Sequence, residues 1–255
     1  MTPVRIGPVE LGAGGPVIIV PLVAAEVTDL AEQAAAARLA ADVLEWRMDH
    51  MRDLSPEAVA AAGHALARAA DGTPVLATYR TAAEGGARDA SPPSYVACYR
   101  ALLDARLVAA VDVEAALGAA VTAPVVQAAR EAGAVVVGSS HDTAGTPPVD
   151  QIVARLEGLA AVGVDVCKVA VTPHSPDDVL TLLTATCAAS RRLEQPLITV
   201  AMGPLGVVTR LAGETFGSAA TFGTVGRSSA PGQIDAVALR QVVDLVHRAL
   251  TDTER

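Results

Sequence analysis

Lys168 is the only lysine among the 19 lysines and arginines of this chain. It lies in the apolar run 164–171, which predicts a buried β-strand. A lysine amine can condense with a ketone to form an imine, whereas a guanidinium group stays protonated and is a poor nucleophile. Residue type alone does not decide between this role and that of a strand lysine that reaches solvent at the rim of a barrel.

Other polar residues stand at or near the carboxyl ends of apolar runs. Glu45, Arg47 and Asp49 are spaced by two, so we expect them on one face of a strand, with Trp46 and Met48 on the other. Charged residues inside a barrel are costly unless they are paired or bind a ligand. Further polar groups follow the later runs, at 78–84, 139–142, 202–210 and 222–233. We therefore predict that these side chains form one site.

A buried lysine, a histidine and several arginines together indicate a definite chemistry. Lys168 would form an imine with a ketone, which makes a neighbouring C–H bond acidic. His141 would move protons, and the arginines would bind a carboxylate by bidentate contacts. Glu84 would orient His141 and fix its tautomer.

Short β-type runs alternate with alanine-rich helical segments along the whole chain. We predict helices that include 55–70, 120–131, 175–192 and 235–250, and strands at 17–24, 42–49, 74–80, 106–114, 134–141, 164–171, 196–202 and 218–225. Eight strand–helix units predict an α/β fold, a single-domain (β/α)8 TIM barrel over residues 1–255. The Gly-rich segment 12–15 is predicted to be the turn of an N-terminal β-hairpin that closes the barrel bottom.

Composition excludes several classes of function. A net charge of −9 and the lack of a basic run argue against a nucleic-acid partner. Three cysteines without a CxxC motif, and an N-terminus unlike a signal peptide, predict a cytoplasmic protein. No charge-free apolar run is long enough to span a membrane. No metal-binding motif is present, and an imine replaces a metal as electron sink, so we expect neither metal nor cofactor.

Seven strings of the sequence closely resemble type I 3-dehydroquinate dehydratase, in order and over nearly the whole chain. They lie at 45–49, 78–86, 140–142, 166–170, 199–203, 210–223 and 229–234. The most specific are Arg-Leu-Ala-Gly-Glu-Thr-Phe-Gly-Ser at 210–218 and Ser-Ala-Pro-Gly-Gln at 229–233. The resemblance implies a homodimeric lyase that dehydrates 3-dehydroquinate, a small molecule, to 3-dehydroshikimate in the shikimate pathway of aromatic amino acid biosynthesis.

The same resemblance implies roles for individual residues. Lys168 would be the Schiff-base lysine, His141 the general acid and base, and Glu84 the carboxylate that supports the histidine. The substrate-binding set would be Glu45, Arg47, Arg80, Met202, Arg210, Phe222, Ser229 and Gln233, with Met202 and Phe222 as pocket walls.

The chain departs from the pattern of this family at three positions. Thr143 stands where many relatives have an aromatic residue, Pro21 where serine is frequent, and Val200 where methionine is frequent. Two alternatives stay open: a class I aldolase that uses the same imine lysine, and an inactive barrel kept as a binding protein. Residues 223–233, rich in glycine and small polar side chains, are predicted to form a lid that closes over the ligand.

Overall fold

The computed structural model describes residues 1–226 and 232–252. The strands, in chain order, are β1 (Val4–Ile6), β2 (Val9–Leu11), β3 (Val17–Leu22), β4 (Val43–Arg47), β5 (Val75–Thr78), β6 (Ala110–Glu114), β7 (Val135–Asp142), β8 (Val166–Val171), β9 (Leu197–Ala201), β10 (Ala220–Thr224) and β11 (Ile234–Asp235). Strands β3 to β10 are parallel and neighbour one another in sequence order. A parallel bridge between Leu197 and Ser218 closes the ring, which confirms the predicted (β/α)8 barrel.

Helices follow the barrel strands and cover them from outside. They are α1 (Val27–Ala37), α2 (Pro56–Ala70), α3 (Pro92–Leu103), α4 (Ala119–Ala132), α5 (Val149–Ala161), α6 (Pro176–Ser190), α7 (Val207–Ala212) and α8 (Ala236–Thr251). Helices α2 and α6 begin at Ser-Pro pairs, in which the serine oxygen accepts a free backbone N–H and the proline presets the first helical φ. None of the helices within the described ranges combines the length and the hydropathy needed to cross a bilayer.

Strand residues alternate between the helices and the barrel interior, as the period of two requires. Trp46 and Met48 lie in the apolar layer between sheet and helices, as predicted. On the inward face of β4, Val43 is followed by Glu45. On the inward face of β6, Ala110 is followed by Asp112. The interior is thus apolar near the amino ends of the strands and charged near their carboxyl ends.

The hairpin of β1 and β2 closes the amino end of the barrel. Ile6 and Leu11 are fully buried in the apolar cluster of the interior. The prediction that residues 12–15 form the hairpin turn is wrong, because the turn lies at Gly7, which takes a φ of +59°. That left-handed conformation favours glycine, and residues 12–15 instead lead from β2 into β3.

Seven of the eight predicted strands are longer than the observed ones, and the differences at β6 and β4 affect the site. Strand β6 begins at Ala110 rather than at 106, because Arg106 takes a left-handed φ of +51° in the turn that ends α3. Strand β4 ends at Arg47, and Met48–His50 form a turn of 3-10 helix. Asp49 therefore leaves the strand, and alternation no longer decides which way its side chain points.

Candidate active site

A pocket lies at the carboxyl ends of the barrel strands. Every site residue predicted from the sequence lines it except Ser229, which lies outside the described residues. Only part of the predicted lid is described, since 227–231 lie outside those residues as well. The lining comprises Pro21, Glu45, Arg47, Arg80, Glu84, Gly85, His141, Thr143, Lys168, Ala170, Val200, Met202, Arg210, Phe222 and Gln233.

Lys168 reaches the pocket from the interior face of β8 and is only 4% exposed. Its Nζ donates to Asp112 Oδ2 at 2.9 Å and lies 3.6 Å from Glu45 Oε1. The ammonium group also lies 4.7 Å from the centre of the Phe222 ring, a distance at which the ring face attracts a cation. The neighbouring Cys167 faces the helices, as alternation predicts. The amine is therefore held in one position, at the edge of the space that a ligand would fill.

His141 and Glu84 form a pair at the pocket wall. Glu84 Oε2 lies 2.9 Å from His141 Nδ1 and accepts the backbone N–H of His141 at 3.1 Å. Glu84 belongs to a 3-10 turn after β5. Only glycine fits at position 86, just after this turn, because a Cβ there would clash with the carbonyl oxygen of Arg80. With Nδ1 turned to Glu84, the other ring nitrogen, Nε2, is left for a group in the pocket.

Burial shifts the pKa values of Glu84 and His141 in opposite directions, because it disfavours the charged form of each side chain. Desolvation raises the pKa of Glu84 to about 7; Arg80 opposes this shift, and Glu114 adds to it. Desolvation, and then the charges of Arg80 and Lys168, hold the pKa of His141 well below its ordinary value. The imidazole is therefore neutral at pH 7, and it can accept a proton.

Arg80 links the carboxylates under the pocket and is itself 3% exposed. Its Nη1 donates to Glu84 at 3.1 Å and to Glu114 at 2.8 Å, and its Nη2 donates to Asp112 at 2.8 Å. Ser139 Oγ completes the network with a 2.6 Å hydrogen bond to Asp112 Oδ1. Although Arg80 lines the pocket, much of its donor capacity is used by the protein.

Asp112 and Glu114 are site residues that the sequence reasoning missed. Both are fully buried, and the pattern Val111, Asp112, Val113, Glu114 alternates in the same way as Glu45, Trp46 and Arg47. That alternation was the signal that could have identified them. Burial opposes the charge on Asp112, but Arg80 and Lys168 outweigh it and hold the pKa of this carboxyl well below its usual range.

Asp49, expected on the same face as Glu45 and Arg47, does not line the pocket. Its two carboxylate oxygens accept from Arg47 Nε at 2.8 Å and from Arg47 Nη2 at 2.7 Å, and Oδ2 also accepts from Ala87 N at 2.9 Å. Because β4 has ended, the carboxylate folds back onto Arg47. Asp49 thus fixes the arginine at the rim.

Arg210, on α7, differs from Arg47 and Arg80 in having no carboxylate partner among the described residues. It is 3% exposed, its Nε lacks a hydrogen-bond partner, and burial lowers its pKa to about 10. A buried, unpaired cation that lines a pocket is suited to binding an anionic group of a ligand. The departures from the family pattern, Pro21, Thr143 and Val200, line this pocket too.

Comparison with known proteins places the chain in a family. The model of the type I 3-dehydroquinase family matches residues 18–249. A 3-dehydroquinate dehydratase of Shigella sonnei is 42% identical over 252 residues, which cover 98% of this chain and 100% of that protein. The type I 3-dehydroquinate dehydratase of Clostridium difficile, solved with covalently modified comenic acid, has a TM-score of 0.94 at 34% identity over 98% of this chain and 100% of its own. For the 3-dehydroquinate dehydratase of Geobacillus kaustophilus the TM-score is 0.93 at 36% identity, over 100% and 98% of the two chains. The chain belongs to the type I 3-dehydroquinase family.

Proposed function

We propose that this enzyme removes water from 3-dehydroquinate, giving 3-dehydroshikimate, through an imine on Lys168. One observation carries the assignment. The only lysine of the chain is buried at a pocket that also holds the guanidinium group of Arg210, which has no carboxylate partner among the described residues, and the neutral imidazole of His141. In this reaction the lysine forms the electron sink, the guanidinium group binds the carboxylate of the keto acid, and the imidazole moves a proton. Membership of the family supports the same reaction, a step of the shikimate pathway.

The proposed sequence begins when Nζ of Lys168 gives a proton to Nε2 of His141 and, as the free amine, attacks the C3 ketone. The adduct loses water, which takes the proton back from His141, and an iminium ion remains. Nε2 of His141 then takes a proton from C2, and the electron pair of that C–H bond moves toward the nitrogen to give an enamine. The enamine expels the C1 hydroxyl, which leaves as water with the proton returned by His141. Hydrolysis of the imine releases the product. Glu84 acts in both proton transfers by holding Nδ1 at 2.9 Å.

Substrate binding is divided among three groups of pocket residues. Arg210 binds the carboxylate, because among the described arginines that line the pocket it alone has no internal carboxylate partner. Met202 and Phe222 form apolar walls against the ring. The remaining groups order the ring hydroxyls: Glu45, Arg47, Arg80, Gln233 and, by resemblance to the family alone, Ser229.

Borohydride reduction with 3-dehydroquinate, followed by intact mass, tests this proposal. The wild type should gain the mass of one reduced adduct, and the single lysine locates it apart from the terminal amine. Lys168→Arg is the matched control, since it keeps the charge and loses the nucleophile. An aldolase would instead yield a trapped fragment from C–C cleavage, and an inactive barrel would turn over nothing. Full turnover by Lys168→Arg would refute the imine mechanism.

We also propose a cytoplasmic homodimer, which rests on composition and on the resemblance to the family. Leu205, in the 3-10 turn before α7, and Val207 and Val208, in the first turn of α7, are exposed and provide apolar surface for such a contact. Sedimentation equilibrium of the purified protein should give twice the 25.8 kDa chain mass. A monomer at micromolar concentration would contradict the dimer.

A further inference from the structure

Asp112 lies directly beneath the reactive nitrogen and has no role in the steps above. Its Oδ2 accepts from Lys168 Nζ at 2.9 Å, and its side chain is fully buried. Its other oxygen is fixed by Ser139 and by Arg80. Asp112 does not line the pocket, so a ligand can fill the pocket without displacing it. A carboxylate placed in this way faces the nitrogen throughout the reaction.

An imine accepts electrons from a neighbouring C–H bond effectively only while its nitrogen is protonated. In a buried site the cationic form is disfavoured by desolvation unless a fixed anion compensates for it. We propose that Asp112 is the counter-ion that keeps the imine on Lys168 protonated. This proposal rests on the proposed imine function and adds to it the group that controls the charge of the intermediate.

The hydrogen balance of the reaction agrees with this role. After condensation the nitrogen keeps one hydrogen and carries a positive charge, which Asp112 neutralises. When C2 loses its proton, the electron pair reaches the nitrogen and leaves a neutral N–H. When the C1 hydroxyl departs, the same pair returns to carbon and the cation is restored. The carboxylate faces an N–H group in each of these states, and it gains or loses no proton in any of them.

The surroundings of Asp112 favour a counter-ion over a proton acceptor. Arg80 and Ser139 both donate to Oδ1, and protonation of the carboxyl would weaken the 2.8 Å ion pair with Arg80. Tyr99 donates to the backbone oxygen of Asp112 at 2.5 Å and so fixes the main chain as well. The pKa of this carboxyl is held well below its usual range, with Arg80 and Lys168 outweighing burial.

Other charged or titratable groups surround the same nitrogen and its counter-ion. Glu45, on β4, is the second anion, at 3.6 Å from Nζ, but it lines the pocket and accepts from Thr78 at 2.9 Å. It therefore faces the substrate, whereas Asp112 lies beneath the lysine. Among the described residues, the remaining charged or titratable groups that line this pocket or join the network are Arg47, Arg80, Glu84, Tyr95, Tyr99, Glu114, His141 and Arg210.

Nitrogen NMR can read the charge of the imine directly. Lys168 is the only lysine, so ε-15N-lysine labels one side chain of the intact enzyme. With saturating 3-dehydroshikimate, the 15N chemical shift distinguishes a free amine, a neutral imine and an iminium ion. We expect the wild type to hold the iminium ion across the pH range of activity. In Asp112→Asn the pH midpoint for deprotonation of the iminium ion should fall by about 1–3 pH units, which is the effect of one opposite charge at this distance. The alkaline limb of the pH profile of kcat should shift in the same direction.

Two isosteric variants separate this role from general damage to the network. Glu114→Gln removes the charge of another buried partner of Arg80, one that does not contact Nζ. The midpoint of iminium deprotonation in this variant should therefore stay near that of the wild type. Glu45→Gln should shift the midpoint less than Asp112→Asn does. An equal or larger shift in Glu45→Gln, or no shift in Asp112→Asn, would overturn the assignment.

The wild type alone also tests the proposal, whether or not Asp112→Asn folds. A neutral imine at pH 7 would contradict the counter-ion while leaving the imine mechanism intact. A lysine signal that remains a free amine with ligand bound would instead contradict the proposed function itself.

Discussion

Replacing Arg210 by methionine should stabilise the fold and weaken substrate binding at the same time. Arg210 is buried, no carboxylate among the described residues pairs with it, and its pKa is lowered to about 10 by burial alone. A folded-state pKa below the ordinary value of 12.5 means that folding disfavours the protonated form. This cost is fully present at pH 7 and is relieved only above about pH 10.

The pKa gives the size of the effect. A fall from 12.5 to about 10, at roughly 1.4 kcal/mol per pH unit, corresponds to about 3 kcal/mol. Methionine removes the charge and keeps much of the volume, so the free energy of unfolding should rise by up to about 3 kcal/mol, or roughly 6–12 °C in Tm. Binding should change the other way, because loss of the cation leaves the substrate carboxylate unpaired, at a cost of about 3–5 kcal/mol. That is a fall in kcat/KM on the order of 10²–10⁴.

Thermal denaturation with and without 3-dehydroshikimate, together with steady-state kinetics, measures both effects. Arg47→Met is the matched control, because Arg47 lines the same pocket but pairs with Asp49, which is fully buried. Its removal leaves that carboxylate unpaired and should lower Tm. The reasoning is wrong if Arg210→Met also lowers Tm, or if the product raises the Tm of Arg210→Met as much as that of the wild type.

Three further predictions concern the proton-transfer groups and the nucleophile. Lys168→Arg should have no turnover above background and should give no borohydride adduct by intact mass, whereas residual turnover would count against the imine. His141→Ala should still form the imine but lose about 10²–10⁴ in kcat, so that mass spectrometry after borohydride finds an accumulated adduct; wild-type kcat would exclude the role of His141. For the wild type, kcat/KM should fall as pH drops through about 7, because Glu84 takes up a proton and no longer orients Nδ1 of His141. In Glu84→Gln this acid limb should vanish from the pH profile. If the limb is unchanged, a group other than Glu84 causes the fall in kcat/KM.

Much of this architecture was predictable because it depends on local patterns. Alternation in β4 identified an inward face at Glu45 and an outward face at Trp46, and both are observed. The convergence of polar groups from distant segments followed from the barrel itself, since parallel strands bring their carboxyl ends to one rim. Residues as far apart in sequence as Glu45 and Phe222 therefore line one pocket.

The pairings inside the site could not be predicted, because alternation fixes the face of a residue and not its partner. The pattern of β5 and its following turn did not show that Arg80 would bind Asp112 and Glu114, more than 30 positions away. Asp49 was misplaced because the sequence did not reveal where β4 ends. The glycines at 12–15 gave a stronger turn signal than Gly7, although Gly7 makes the turn.

The hairpin at the amino end of the barrel insulates a site that it does not touch. Ile6 and Leu11 fill the apolar floor beneath the charged layer. Water admitted there would screen the attraction between Lys168 and Asp112, which weakens in proportion to the local dielectric constant. An opened floor would leave every pocket side chain in place and still weaken the field in which the imine forms. We therefore expect polar substitutions at Ile6 and Leu11, far from the pocket, to lower catalysis by admitting water beneath the charged layer.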